Sequence, residues 1–274
     1  MITIQKSQLS VMNIQYRYFS LDKFLDDAVG NEVSNIELWG AMPFFNIEDM
    51  TYQEVKEVRH QIESRGLKLV CLTPEQCVYP VNLAAPSEAA RRRSLKFFED
   101  NIRAASELGT DKMLITTGYG FFDESNHEEA WKWARDGIYD LAELAKIHGI
   151  TLALEVLRRD ESNLVYNLPT LTQMLAELKH DSVGGMIDTI PMALAGERPA
   201  DYLQALGDRL VHVHFIDGAP RGHLAWGDGI LDMQGYLEEF SRYHYKGYLS
   251  LEITDGRYYM DPTQSVQQIG RAHV

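Results

Sequence analysis

The chain has 274 residues, of which 45% are apolar and 24% are charged, and its formal net charge is −14. This composition is typical of a folded globular protein, and the length is close to the roughly 250 residues of an eight-fold α/β barrel. The acidic excess disfavours nucleic-acid or membrane partners, because the average surface repels phosphate groups and anionic lipid heads.

Targeting and redox signals are few in this sequence. Residues 1–16 lack the pattern of a signal peptide, and no run of about 18 apolar residues appears anywhere. The two cysteines, Cys71 and Cys77, are too few for a disulfide framework and are expected to be reduced thiols. We therefore expect a cytoplasmic protein.

No linker-like change of composition divides the chain, so a single domain is expected over residues 1–274.

Short apolar runs alternate with amphipathic helical patterns along the chain. They predict strands near residues 10–14, 34–39, 67–73, 111–117, 150–156, 183–188, 210–216 and 247–253, with a helix in each interval and one after the last strand. This alternation predicts a parallel sheet, and eight units of this length favour closure into a (β/α)8 TIM barrel. An open, doubly wound sheet is the alternative. Its nucleotide-binding version has no support, because no GxGxxG or GxxxxGK[ST] motif follows the first strand.

Turn and capping residues mark the ends of several predicted helices. Glycine suits the left-handed residue that ends a helix, and four glycines stand between a helical pattern and the next strand: Gly66, Gly109, Gly149 and Gly247. Helix starts are predicted at Pro86-Ser87-Glu88 and at the capping-box pattern Ser125-Asn126-His127-Glu128.

Four of the later predicted strands carry an ionisable residue near the end of an apolar run. These residues are Glu155, Asp188, His214 and Glu252, one on each of strands 5 to 8. Their late positions place them at the C-terminal mouth, where barrel active sites are built. Carboxylates buried together must be paired or bind a cation. The set therefore predicts a site for one divalent ion, for which Mn²⁺ or Mg²⁺, with Co²⁺ as a further option, suit the ligands better than structural zinc.

Two further acidic residues stand near these strand ends. Glu37 ends the second predicted strand, and Asp217 follows His214 by three positions. We interpret both as hydrogen-bond partners that support the site residues. His212 and His223 could each either join the site or support it through hydrogen bonds. Of the two, His223 is the better candidate for contacting the substrate.

These segments resemble the sugar phosphate isomerase/epimerase family of xylose-isomerase-like barrels, and within it the ketose 3-epimerases. The similarity runs the full length of the chain, and the shared motifs include LEV at 154–156, MID at 186–188, HVH at 212–214 and LE at 251–252. In the family the second histidine of HxH is the metal ligand, which is His214 here. Longer matches point to the fructoselysine 3-epimerases, and they are IELWG at 36–40, LTPEQCVYPVN at 72–82, LEVLRRDESN at 154–163 and GHLAWGDG at 222–229.

The resemblance implies an epimerase that inverts the carbon next to the ketone of a ketose or a fructosamine. A metal chelated by the carbonyl and a neighbouring hydroxyl would acidify the proton between them and stabilise the enediolate. Glu155 and Glu252 are the candidates for removing and returning that proton. Glu161 is implied to contact a substrate hydroxyl. The other candidates for substrate binding are Trp39, Arg221 and His223.

The chain departs from the psicose-type epimerases at one position. Those enzymes have a substrate-binding histidine three residues after the strand-6 aspartate, where this chain has Pro191. A simple ketohexose is therefore not expected to be held in the same way. Aromatic residues of the predicted βα loops could line a pocket for a larger substituent, and they are Trp39, Phe44, Tyr79, Tyr119, Trp226 and Tyr258.

Other functions are built on the same barrel. A sugar isomerase or an inosose-type dehydratase would use a similar metal site. An endonuclease IV-like nuclease needs many more histidines at strand ends and a basic groove. A non-catalytic carbohydrate-binding barrel would not need the pair Glu155 and Glu252. We expect a small sugar as the substrate and, as in many relatives, a homodimer or homotetramer.

Overall fold

The computed structural model describes residues 2–76, 81–219 and 221–269. Its strands are β1 (Leu9–Met12), β2 (Asn35–Gly40), β3 (Lys68–Pro74), β4 (Lys112–Ile115), β5 (Thr151–Glu155), β6 (Val183–Asp188), β7 (Leu210–His214), β8 (Asp217–Ala219), β9 (Arg221–Leu224) and β10 (Leu249–Leu251). Eight of them form a closed barrel in the order β1-β10-β7-β6-β5-β4-β3-β2, and β8 and β9 form a separate antiparallel hairpin. All pairings within the barrel are parallel. The predicted eight strands and the closed barrel are thus confirmed, while the hairpin was not predicted.

Helices cover the outside of the barrel. They are α1 (Leu21–Gly30), α2 (Tyr52–Ser64), α3 (Glu88–Leu108), α4 (His127–His148), α5 (Leu168–Leu178), α6 (Thr189–Leu194), α7 (Pro199–Leu206), α8 (Met233–Arg242) and α9 (Thr263–Ile269). Every interval between consecutive barrel strands contains a helix, as predicted, and the interval between β6 and β7 contains two. Short 3₁₀ turns cover Lys6–Gln8, Ile14–Tyr16, Ile47–Asp49, Gly207–Arg209 and Gly256–Tyr258. Within the described ranges, no helix combines the length and apolarity needed to cross a membrane.

Alternation along the strands directs side chains either to the helices or to the barrel interior. Leu152 and Leu154 belong to the large core that strands and helices share, whereas Ala153 packs in a small cluster with Met186 and other strand residues only. Successive side chains of a strand point to opposite faces, so Ala153 faces the barrel interior. Glu155 is the last residue of β5 and lies two positions after Ala153, so the two side chains point to the same face of the strand. Its side chain is therefore directed to the interior at the mouth.

The cysteine prediction is confirmed for one of the two residues. Cys71 is a buried free thiol in the same small cluster, where it packs with Leu114 and Ala153. Burial raises the pKa of the Cys71 thiol well above its usual value, which keeps it protonated. Cys77 lies outside the described residues.

Three of the four predicted helix-ending glycines have the left-handed conformation. Gly66, Gly109 and Gly149 have φ of 69°, 84° and 70°. The prediction is wrong for Gly247, because α8 ends at Arg242 and the left-handed residue after it is His244, with φ of 55°. A Cβ atom on Gly247 would lie 2.2 Å from Tyr245 Oη, so close approach of this ring accounts for the glycine.

The two predicted helix starts have different outcomes. Ser87 is the N-cap of α3, and its side chain accepts a hydrogen bond from the backbone N–H of Ala90. The capping box at 125–128 is wrong. Asn126 precedes α4 without capping it, and its side-chain oxygen instead accepts from the backbone N–H of Phe121 at 2.7 Å. The preceding loop therefore uses the polar group that a cap would need.

A glycine on β6 tests the packing between β6 and β7. A Cβ atom on Gly184 would lie 2.4 Å from Val211 Cγ1 and 2.8 Å from the carbonyl oxygen of Arg209. We expect Gly184→Ala to lower the free energy of unfolding by about 1–3 kcal/mol, because the neighbouring strand must shift. The control Gly30→Ala, with no atom within 4 Å of its new Cβ, should leave stability unchanged or slightly raised. Urea unfolding measures both variants, and equal stability of Gly184→Ala and the unmodified protein would contradict this packing.

Candidate metal centre and active site

The four strand-end residues meet at the C-terminal mouth of the barrel. Glu155, Asp188 and His214 are the last residues of β5, β6 and β7, and Glu252 directly follows β10. These strands are neighbours in the barrel, and register pairs Asp188 with His214. One ligand atom from each residue lies within 4.8 Å of the others, an arrangement that could hold a metal ion. We call these four residues the mouth cluster.

His214 presents an unpartnered nitrogen to the carboxylates. Its Nδ1 lies 3.1 Å from Glu155 Oε1 and 3.2 Å from Glu252 Oε2, but it has no partner with hydrogen-bond geometry. The opposite nitrogen, Nε2, lies 3.0 Å from Glu37 Oε1. A proton on Nε2 leaves a lone pair on Nδ1, which is the form that a metal ligand requires. Three carboxylates and this nitrogen form a donor set that suits a divalent cation.

Burial and neighbouring charges shift the pKa values of the three carboxylates in the mouth cluster in different directions. Burial, with added repulsion from Glu252 and Asp188, raises the pKa of Glu155 to about 8. Burial also raises the pKa of Asp188. For Glu252 burial acts in the same direction, but the neighbouring His214 and His223 outweigh it and lower its pKa to about 2. A divalent cation at this position would stabilise all three carboxylates in their ionised form.

Glu37 lies beneath the mouth cluster in a fully buried network. Its two oxygens lie 2.8 Å from His212 Nε2 and 3.0 Å from His214 Nε2, and Thr73 Oγ1 donates to it as well. Burial raises the pKa of Glu37, but the two histidines outweigh it and hold the value well below the usual range. Glu37, His212 and His214 also form a second group with possible metal-ligand atoms. Because these atoms are paired at hydrogen-bond distances, we read this group as support for His214.

A cavity of about 210 Å³ opens over the mouth cluster. Three of the residues predicted to bind substrate, Trp39, Glu161 and His223, line it. Glu155, Asp188 and Glu252 also border the cavity, so their carboxylates can reach a ligand held there. The cavity therefore combines a possible metal site with space for a small molecule.

His223 reaches the mouth cluster from the β8–β9 hairpin. Its Nδ1 lies 3.0 Å from Glu252 Oε2, and its Nε2 lies 3.5 Å from Asp188 Oδ2. Burial lowers the pKa of His223, but Asp188 and Glu252 outweigh it and raise the value to about 9. His223 thus contacts the cluster itself as well as the cavity.

Arg158 was not predicted as a site residue, although it lies within the segment LEVLRRDESN at 154–163. It lines the cavity, and its Nη2 donates to Glu161 Oε1 at 2.7 Å while its backbone N–H donates to Glu161 Oε2 at 3.1 Å. These contacts fix the carboxylate of Glu161 beside the cavity. The spacing of three residues between an arginine and a glutamate could have indicated the pair.

Arg221 does not reach the cavity. It pairs with Ala219 at the tip of the β8–β9 hairpin, and its side chain is 64% exposed. Its Nη1 lies 2.9 Å from Asp160 Oδ2 on the surface. Gly222, with φ of 86°, breaks the strand alternation that would otherwise place Arg221 on the same face as His223. The structure therefore gives no support to Arg221 as a substrate ligand.

The described residues do not form the expected aromatic pocket. Trp39 lines the cavity, and Phe44 packs against its ring with centroids 6.5 Å apart. The other aromatic residues contact protein groups away from the cavity lining: the ring of Tyr119 packs near that of Phe122, Trp226 Nε1 donates to the carbonyl oxygen of Phe215, and Tyr258 Oη donates to Asp228. Tyr79 lies outside the described residues. The prediction is therefore confirmed for Trp39, which lines the cavity, and wrong for Phe44, Tyr119, Trp226 and Tyr258, which do not line it.

Asp217 supports a loop instead of the mouth cluster. Its carboxylate accepts hydrogen bonds from the backbone N–H groups of Gly218, Gly227, Gly229 and Leu231. These contacts shape the segment that follows the β8–β9 hairpin. The interpretation of Asp217 as a direct partner of the site residues is therefore wrong.

Comparison with known proteins agrees with this architecture. Residues 26–271 match the family described as the xylose isomerase-like TIM barrel. The chain belongs to this family. It is 28% identical over 221 residues to the fructoselysine 3-epimerase of Shigella flexneri, a match that covers 80% of this chain and 79% of that protein.

Solved structures of two other proteins superpose along almost the whole chain. The 3-keto-D-glucoside 4-epimerase of E. coli has a TM-score of 0.80 at 18% identity, covering 97% of this chain and 99% of that chain. The D-psicose 3-epimerase of Clostridium cellulolyticum with D-tagatose has a TM-score of 0.80 at 14% identity, covering 96% of both chains. At these identities the likeness shows the fold.

The Glu37 network provides a stability test for this xylose isomerase-like barrel. Glu37→Gln replaces one acceptor oxygen by an amide NH₂ group that cannot accept from a buried imidazole, so we expect the free energy of unfolding to fall by about 1–3 kcal/mol. The control Glu57→Gln, on the exposed face of α2, should change it by less than about 0.5 kcal/mol. Denaturant unfolding at neutral pH compares the two, and a Glu37→Gln variant as stable as the control would contradict the network.

Proposed function

We propose that this chain is a sugar epimerase that depends on a divalent metal ion and inverts the carbon next to a ketone. The substrate class is a ketose or a fructosamine. The observation that carries the proposal is the convergence of three carboxylates and an imidazole on one cavity at the barrel mouth. Relatives named as sugar epimerases support the assignment to the isomerases.

The mouth cluster is the proposed metal site, with Glu155, Asp188, His214 and Glu252 as ligands. Mn²⁺ is the ion we favour, and Mg²⁺ or Co²⁺ would suit the same oxygen-rich donor set. A bound divalent ion supplies a Lewis acid that acidifies the carbon-bound proton beside the carbonyl and stabilises the negative charge that follows its removal.

Glu155 and Glu252 are the proposed catalytic bases. Glu155 ends β5 and Glu252 directly follows β10, and β6 and β7 separate these strands in the barrel, so the two carboxylates stand at the two ends of the mouth cluster. One carboxylate removes the proton from one face of the carbon, and the other returns a proton to the opposite face. Each has a second oxygen that stays available for a metal ion.

The surrounding residues orient the substrate. Glu161, held by Arg158, presents a fixed acceptor for a substrate hydroxyl. His223 positions the Glu252 carboxylate through its contact at 3.0 Å and is placed to donate to the substrate from the same wall. Trp39 forms an apolar part of the opposite wall.

Proton transfer fits the site better than a hydride shift. A hydride shift generally uses a second cation to polarise the neighbouring oxygen. In the second group of possible ligands, the Nε2 atoms of His212 and His214 are both taken up by Glu37, and none of the three residues lines the cavity. Three further points stay predictions. They are the homo-oligomeric state, the cytoplasmic location and the one-domain organisation over residues 1–274.

Metal analysis tests the proposed ligands. Protein purified without chelators should contain one divalent ion per chain, measured by elemental analysis. Glu155→Ala and Asp188→Ala should each lose it, because each removes a charged donor from the cluster. Glu161→Ala alters the cavity but not the cluster and should retain the ion. Unchanged metal content in both cluster variants would refute the assignment.

Solvent exchange tests the proton-transfer mechanism. Reaction of a ketose in D₂O should place deuterium at the inverted carbon, because a carboxylate exposes the proton to exchange before its return. Glu155→Gln and Glu252→Gln should each stop inversion, with metal content measured in both. A variant that keeps one base can still exchange the proton of one epimer. Product formed at full rate without solvent deuterium would instead indicate hydride transfer in a sugar isomerase.

A further inference from the structure

The two halves of the cavity differ in the chemistry they offer. The half formed by β5, β6, β7 and β10 carries the mouth cluster and, in the loop after β5, Arg158 and Glu161. The opposite half, formed by the ends of β1 to β4, combines the apolar side chains of Ile14, Trp39, Pro74 and Leu114 with the polar residues Thr73, Glu75 and Gln76. A ligand bound at the mouth cluster therefore extends toward this second wall.

Glu75 places a carboxylate on the second wall. It directly follows β3 and lines the cavity, and its Oε2 accepts a hydrogen bond from Trp39 Nε1 at 3.0 Å. The indole of Trp39 thus fixes the position of the carboxylate. Of the ion pairs formed among the described residues, none involves Glu75, whereas the carboxylate of Glu161 is paired with Arg158.

Of the carboxylates that line the cavity, that of Glu75 is the one without an ion pair among the described residues. Five carboxylates line the cavity, and the basic side chains there are Arg158 and His223. Arg158 is bound to Glu161, and His223 contacts Glu252 and Asp188. A metal ion would balance charge in the mouth cluster on the other wall. A positive charge on the substrate is the complement that Glu75 lacks.

We propose that Glu75 determines substrate specificity by binding a protonated amine carried by the sugar, at the wall opposite the metal cluster. This inference rests on the proposed function, because it assigns the substrate class of the same cavity. A charge-assisted hydrogen bond between the ammonium group and a carboxylate already oriented by Trp39 favours an amine-substituted sugar over a neutral one. The same carboxylate repels a phosphorylated sugar.

Equilibrium binding tests Glu75 without requiring turnover. The probes are 1-amino-1-deoxysorbitol, which is cationic and has no ketone, and sorbitol, which is neutral, each titrated calorimetrically into the Mn²⁺-loaded protein. We expect the aminosorbitol to bind about 10- to 100-fold more tightly than sorbitol. Glu75→Gln should remove this preference and leave sorbitol affinity unchanged, while the surface control Glu57→Gln should keep it. An equal loss for both probes, or a preference that survives in Glu75→Gln, would overturn the role.

Turnover separates this inference from the proposed reaction. With 1-amino-1-deoxyfructose and fructose as substrates, Glu75→Gln should lower kcat/KM for the amino sugar by about 10- to 100-fold and leave that for fructose nearly unchanged. If neither ketose is epimerised but the aminosorbitol preference depends on Glu75, the reaction is wrong and the inference stands. If both are epimerised and Glu75→Gln affects them equally, the reaction stands and the inference is wrong.

Discussion

Repulsion between carboxylates held within 4.8 Å of one another is the constraint on which the site depends. Such groups cannot all be ionised at low cost unless protons or a cation lie among them. The barrel imposes the closeness, because parity along each strand directs the last side chain to the interior, and register aligns neighbouring strand ends. Burial and, to a smaller extent, that repulsion raise the pKa of Glu155, whereas His214 and His223 outweigh burial and lower the pKa of Glu252.

Supporting contacts convert this cluster into an oriented set of ligands. Glu37 holds His214 from below, so that Nδ1 is left without a hydrogen-bond partner at the mouth. His223 contacts the cluster from the β8–β9 hairpin, and Asp217 shapes the loop that follows through four backbone hydrogen bonds. The wall formed by β1 to β4 has little charge apart from Glu75. The metal chemistry and the proposed substrate selection thus lie on opposite sides of one small cavity.

The sequence was most informative where local patterning determines structure. Glu155 and Asp188 are examples, because each is an ionisable residue near the end of an apolar strand. For such a residue, alternation along the strand alone predicts the direction of the side chain and its height in the barrel. The positions of Arg221 and His223 depend on a hairpin whose turn is not encoded by strand periodicity. Gly247 was wrongly predicted to end the helix before the last strand. The glycine is required there by the close approach of the Tyr245 ring. Arg158 and Glu75 lie in loops after strands, where periodicity carries no information about direction.

Anomalous diffraction from crystals soaked in Mn²⁺ is the most direct test of the central claim. An ion held by the mouth cluster should give a peak about 2.0–2.3 Å from carboxylate oxygens of Glu155, Asp188 and Glu252 and from Nδ1 of His214. The carboxylate of Glu37 should lie on the far side of the His214 ring. A mouth cluster without a peak, or an ion bound by Glu37 and His212 instead, would contradict the assignment of these four residues as a metal site.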